Sequence, residues 1–171
     1  MRAALEGGAH AVTANKGPAA FAYGELSTVA ADRRRRFLFE GAVMDGIPVV
    51  NLVRETLPGV RVEGFRGVIN STTNHILSAL ERGETFDAAL ARMQADGIAE
   101  ADPTLDVDGW DAAAKTAVLM NVLMDARVTP HEIEREGIRG VAAGDVRAAV
   151  GRGERVRLVA SAARGTDGVL K

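Results

Sequence analysis

The spacing of apolar positions changes several times along this chain, and each change marks an element. Residues 2–6 read as a helical turn stopped by Gly7 and Gly8, and residues 10–14 follow as a short strand. Asn15, Lys16, Gly17 and Pro18 turn the chain. Pro18 has a fixed φ and no amide proton, so it predicts the first residue of a helix reaching about Ala31. The basic run Arg33, Arg34, Arg35 and Arg36 reads as a solvated helix end, where cations suit the dipole. Residues 36–40 and 42–43 form a second strand-like stretch, and Gly46, Ile47 and Pro48 open a helix to about Leu57. Residues 60–69 alternate as a strand, Ser71 or Thr72 can cap a helix to Leu80, and Thr85 caps another through Gln94 that Gly97 ends. A buried helix is predicted over 108–125 with Asp108 as its cap, because residues 112–124 are apolar nearly all round. Thr129 and Pro130 start a short helix and residues 145–150 form another. Residues 156–162 read as a strand, and residues 165–171 as a turn entering one more.

That buried helix is preceded by an acidic stretch containing Glu100, Asp102, Asp106, Asp108 and Asp111, and it carries Lys115 in its second turn. Asp111 and Lys115 are four apart and share one helix face, while the irregular lead-in lets the other carboxylates converge there. A lysine on so apolar a helix is expected to be half buried. Burial disfavours its charge and the neighbouring carboxylate favours it, an arrangement that can hold a proton donor beside a substrate. A solvated acidic loop closed by an exposed i,i+4 ion pair has the same composition, and the stretch alone does not separate the two.

With 171 residues, 47% of them hydrophobic, the chain can bury one core and part of a second. A net charge of −2 with one tryptophan and one tyrosine argues against nucleic-acid binding. No apolar run approaches the roughly 18 residues that span a membrane, and the first residues lack a signal-peptide core, so a cytoplasmic location is expected. Cysteine is absent, which excludes a thiolate nucleophile, a disulfide and any thiolate-bound metal. His10, His75 and His131 are too scattered for a metal triad.

Four separated motifs then agree: AVTANKGP at 11–18, FEGAVMDGIPVV at 39–50, GFRGVINSTTNHIL at 64–77 and GIAEADPTLDVDGWDAAAK at 97–115. In this order and spacing they resemble homoserine dehydrogenase, over nearly the whole chain from Arg2 to Ala162. The resemblance implies an α/β fold: the C-terminal part of a Rossmann-type nucleotide-binding domain over 1–47, then an α+β substrate-binding and dimerisation domain over 48–171. The family's opening GxGxxG turn and its closing return segment have no counterpart in these residues, so the chain resembles the middle of an enzyme. The implied activity is the NAD- or NADP-dependent interconversion of L-aspartate 4-semialdehyde and L-homoserine, serving threonine and methionine synthesis, in a homodimer or larger assembly. A catalytically silent fragment that binds an amino acid or dimerises is the alternative. The enzyme class that makes an acyl phosphate from the same semialdehyde requires a cysteine nucleophile and is excluded.

Position by position, the resemblance gives Lys115 the exchange of a proton with the substrate hydroxyl and gives Asp111 the orientation of that lysine and of the substrate. Glu100 falls where the family binds the substrate amine, Asp106 where a further carboxylate lines the pocket, and Thr72 at a pocket contact. Lys16 matches a second lysine between nicotinamide and substrate, with Asn15 beside it on the cofactor. The loop FEGAVMDGIP corresponds to a monovalent cation site, such as one for Na+, built mainly from backbone carbonyls. Its ligands would come from Glu40, Val43, Asp45 and Ile47. Met44 and Asp45 replace the usual small residues of this loop. Ile98 stands where an aromatic is common, and Ser71 and His75 replace the more usual glycine and tyrosine, changes that bear on pocket shape and hence on specificity.

Overall fold

The chain folds into two compact units, described in a computed structural model of residues 1–171 other than Asp45. One comprises Met1–Arg66, Ala113–Glu134 and Ser161–Lys171, and the other Gly67–Ala112 and Arg135–Ala160.

In the first unit, α1 (Arg2–Glu6) leads to β1 (Ala11–Val12), and two helices, α2 (Lys16–Phe21) and α3 (Tyr23–Asp32), cross over to β2 (Phe37–Leu38). β1 and β2 pair in parallel, Ala11 opposite Phe37 and Val12 opposite Leu38, so this stretch is a βαβ unit. Alternation along both strands buries Ala11 and Phe37 and leaves Val12 and Leu38 exposed. Phe39 packs against the rings of Phe37 and Tyr23, with centroids 4.8 and 5.7 Å away.

The predicted single helix from Pro18 starts earlier and is broken. Asn15 accepts a hydrogen bond from the Gly17 amide at 2.8 Å and caps α2, which leaves Pro18 within the first turn, where its missing N–H costs nothing. Ala22 then leaves helical geometry before α3 begins. The second predicted strand is shorter because Glu40–Ala42 winds into a 3-10 turn. The Glu40 carboxylate accepts from the amides of Val50 and Asn51, each at 2.9 Å, and so holds the start of α4 (Val49–Asn51), which continues as the π-helical turn Leu52–Thr56.

Strands β3 (Gly64–Gly67) and β4 (Ala160–Ala163) form a second two-stranded sheet. A side chain at Gly64 would stand 2.8 Å from the Ala162 carbonyl oxygen, so this close approach requires glycine. Met120, Met124, Ala126 and Ala162 form the adjoining core with Phe65 and Leu170 packed on it. Asn121 ties the chain back on itself: its side-chain amide donates to the Val128 carbonyl at 2.8 Å and accepts from the Val128 amide at 2.9 Å. The short helix predicted at Thr129 is present as Pro130–Glu132 with a capping box.

The second unit is helical. α5 (Ser71–Glu81), α6 (Phe86–Ala95), α7 (Thr104–Val107) and α9 (Ala143–Gly151) surround a core of Ile76, Leu77, Leu80, Met93, Val107, Ile138 and Val146. Thr85 caps α6 as its sequence predicts. Val156 and Leu158 pack against this helical core, which explains why the strand predicted over 156–162 contracts to β4. The helix α8 (Trp110–Leu123) gives its first residues to this unit and the remainder to the other. Among the described residues no helix is long and apolar enough to cross a membrane.

Glu81, at the end of α5, anchors the segment before β4 by accepting from Arg157 at 2.6 Å, with Arg155 at 3.6 Å. The hydrogen bond from Arg157, aided by the charges of both arginines and opposed by burial, holds the Glu81 carboxyl below its ordinary value of 4.5. A lowered carboxyl stabilises the fold above the unfolded-state pKa and loses that contribution as pH falls through the folded value. We therefore expect Glu81→Gln to be less stable than wild type at neutral pH in urea unfolding, with the difference shrinking on acidification below 4.5. A pH-independent difference would remove Arg157 as its cause.

Candidate functional site

In the second unit the acidic stretch is fastened before it reaches α8. Gln94 in α6 donates its amide to the carbonyls of Glu100 and Ala101, both at 3.1 Å. Asp102 accepts from the Thr104 amide at 3.0 Å, turning the chain into α7, and the contacts from Thr104 and the charge of Arg139 hold its carboxyl below the usual aspartate range. Gly109, at φ +81°, then reverses direction between α7 and α8.

Asp108, expected to cap the long helix, ends α7 instead, and α8 begins at Trp110. A four-residue helix that the sequence reading missed, α7, displaces the start of α8. The Asp108 side chain is left to pair with Arg139, while its carbonyl accepts from Arg135 at 2.7 Å. The Arg135 guanidinium also lies 3.5 Å above the centre of the Trp110 ring.

Asn70 is the other correction. The cap of α5 is Asn70 rather than Ser71 or Thr72: its Oδ1 accepts from the Thr73 amide at 2.8 Å and the Thr73 hydroxyl at 2.9 Å. Its Nδ2 donates to Asp106 Oδ1 at 2.7 Å and to Asp111 Oδ2 at 3.0 Å. Two carboxylates from α7 and α8 thus meet on one buried amide. The available signal was the strength of asparagine as a helix cap, immediately before STT.

Among the other predicted residues of this unit, Glu100 is exposed on the lead-in and Thr72 is buried in the first turn of α5. In the first unit, Lys115 is half buried on α8, as its apolar helix leads one to expect. Asn15 and Lys16 follow the C-terminal end of β1, and the loop that opens with Glu40–Ala42 follows that of β2. These two loops therefore leave the same edge of a parallel pair, the edge at which open α/β sheets bind ligands. A lysine and an asparagine there suit an anionic, amide-bearing cofactor. In the cation loop the Glu40 carboxylate is taken up in capping α4, and the Ile47 carbonyl accepts from Val49 at 2.9 Å. Asp45 lies outside the described residues, among which no cluster of three or more His, Asp or Glu side chains can hold a metal. A cleft of about 460 Å³ in the first unit is lined by Phe21, Tyr23, Arg127 and neighbours rather than by the predicted site residues.

The family model described as homoserine dehydrogenase matches residues 48–170. A Pseudomonas canavaninivorans protein named NAD(+)-dependent homoserine dehydrogenase is 41% identical over 169 residues, 99% of this chain and 48% of the relative. A homoserine dehydrogenase structure from Thiobacillus denitrificans superposes with TM-score 0.90 at 38% identity, covering 96% of this chain and 38% of that one. A hyperthermophilic archaeal homoserine dehydrogenase mutant, solved with NADPH, gives TM-score 0.82 at 35% identity, covering 99% of this chain and 49% of that one. The chain spans about half or less of the length of these relatives.

Trp110 is the only tryptophan, so its fluorescence reports on the start of α8. Arg135→Ala is expected to shift its emission to longer wavelength and to raise quenching by acrylamide. An unchanged spectrum and quenching constant would show that Arg135 does not cover the indole in solution.

Proposed function

Because this chain belongs to the homoserine dehydrogenase family, we propose that the protein containing it interconverts L-homoserine and L-aspartate 4-semialdehyde with NAD or NADP. The observation that carries the reading is the convergence of Asp106 and Asp111 on Asn70 at the start of the helix that bears Lys115. Fixed carboxylates make a negative wall that suits an ammonium group, which an α-amino acid carries.

In this reading Lys115 takes the proton of the homoserine hydroxyl during oxidation and returns it during reduction. Lys16 adds positive charge beside the reacting oxygen, where negative charge develops. Asp111 orients Lys115 and the substrate. Glu100 binds the amine, Asp106 completes the negative wall, and Thr72 contacts the amino acid. Asn15 and Lys16 hold the nicotinamide end of the cofactor, which supplies the hydride acceptor or donor. The backbone carbonyls of Glu40, Val43, Asp45 and Ile47 are proposed to bind a monovalent cation. The Ile47 carbonyl retains a second lone pair beside the one used by Val49. Residues 1–47 form the end of the nucleotide-binding domain and residues 48–171 the substrate-binding and dimerisation domain. The same reading includes a cytoplasmic homodimer or larger assembly in amino-acid synthesis.

The test is oxidation of L-homoserine, followed as reduced nicotinamide absorbance. Lys115→Ala is expected to lower kcat by at least about 100-fold, the ordinary scale of general acid–base catalysis, with a much smaller change in KM. Equal losses in kcat and in substrate affinity would argue that Lys115 only binds, and undiminished turnover would end the reading.

A further inference from the structure

Asn70 has no role in the reaction as set out above, yet it touches two residues that do. We propose that Asn70 is the positioning residue of the amino-acid pocket, holding Asp106 and Asp111 at a fixed spacing as the part of its negative wall that meets the substrate ammonium beside Glu100. The proposal rests on the functional reading above and deepens it.

Three observations carry it. The first is the orientation of the amide. The Thr73 backbone amide, which can only donate, stands 2.8 Å from Oδ1, which identifies that atom as the oxygen and turns Nδ2 towards the carboxylates. The second is stoichiometry. Nδ2 has two hydrogens and two acceptors, Asp106 Oδ1 at 2.7 Å and Asp111 Oδ2 at 3.0 Å, so each carboxylate accepts one hydrogen bond. The third is rigidity. Asn70 is 4% exposed, and it caps a helix whose Ile76, Leu77 and Leu80 lie in the unit's core.

The physical consequence is a fixed spacing between two like charges on different helices. Without the bridging amide nothing joins the two oxygens, and their mutual repulsion favours a wider spacing. With it, the two oxygens stand no farther apart than the two hydrogen-bond lengths combined. An ammonium group then meets a pair that needs no rearrangement, which lowers the cost of binding. No other side chain of this size supplies the cap acceptor and two donors together. Serine and threonine keep the cap but cannot bridge both acids, and aspartate keeps the cap but adds a third negative charge.

The experiment is isothermal titration calorimetry on the 171-residue chain, with L-homoserine and 4-hydroxybutyrate, the same hydroxy acid without its amine. Wild type is expected to prefer L-homoserine. Asn70→Ser should weaken homoserine binding about tenfold or more, the scale of lost charge-assisted hydrogen bonds, and leave 4-hydroxybutyrate binding unchanged. In an Asp106→Asn background the same serine substitution should cost little, because its partner charge is already gone. Asn70→Thr, which also keeps the cap, serves in its place should the serine variant unfold by circular dichroism. Retention of the wild-type preference in Asn70→Ser, or losses that add in the double variant, would overturn the role of Asn70 while leaving the function intact. A wild type indifferent to the amine is a separate result, and it would remove the functional reading itself together with this proposal.

Discussion

Two carboxylates held side by side are unstable unless something lies between them. Two unit charges about 5 Å apart repel by roughly 3 kcal/mol at an effective dielectric near 20. Here an asparagine amide donates to both, and its hydrogen bonds to charged acceptors are the stronger kind. The amide can serve because its oxygen is already committed to the start of α5, which fixes its orientation. The helical unit supplies this geometry: α5 sits in the core, α7 and α8 bring the acids, and the glycine turn at Gly109 joins those two helices.

The surrounding contacts have the same effect of holding the acidic stretch in place. Gln94 pins its beginning and Arg139 takes up Asp108, the acid that α7 leaves at its end. The Arg135 guanidinium lies over Trp110, the first residue of α8. These are mostly exposed contacts, each worth little alone. Together they limit the freedom of a segment with little regular structure of its own.

The helices that bear the candidate residues were legible in the sequence because their signals are local. Thr85 as a cap and the all-round apolar pattern of α8 both survive in the structure. Strand lengths were not legible, since pairing ends where a partner does: Val156 and Leu158 read as strand residues but find a helical core to pack on. The candidate acids were visible from their type and spacing, and family resemblance supplied their roles. Asn70 was not, because its importance lies in contacts 36 and 41 residues away along the chain, for which no periodicity exists. Asp108 illustrates the opposite error, a good cap residue placed where an unforeseen short helix ended.

The Asn70 amide bridges Asp106 and Asp111, and in the proposed reading an amino-acid ammonium binds against that pair beside Glu100. Nuclear magnetic resonance of the Asn70 side-chain amide tests it most directly. Two amide protons that both exchange slowly with solvent and both shift saturably with L-homoserine but not with 4-hydroxybutyrate are the predicted result. Amide protons that exchange rapidly with solvent and do not respond to the amino acid would contradict it.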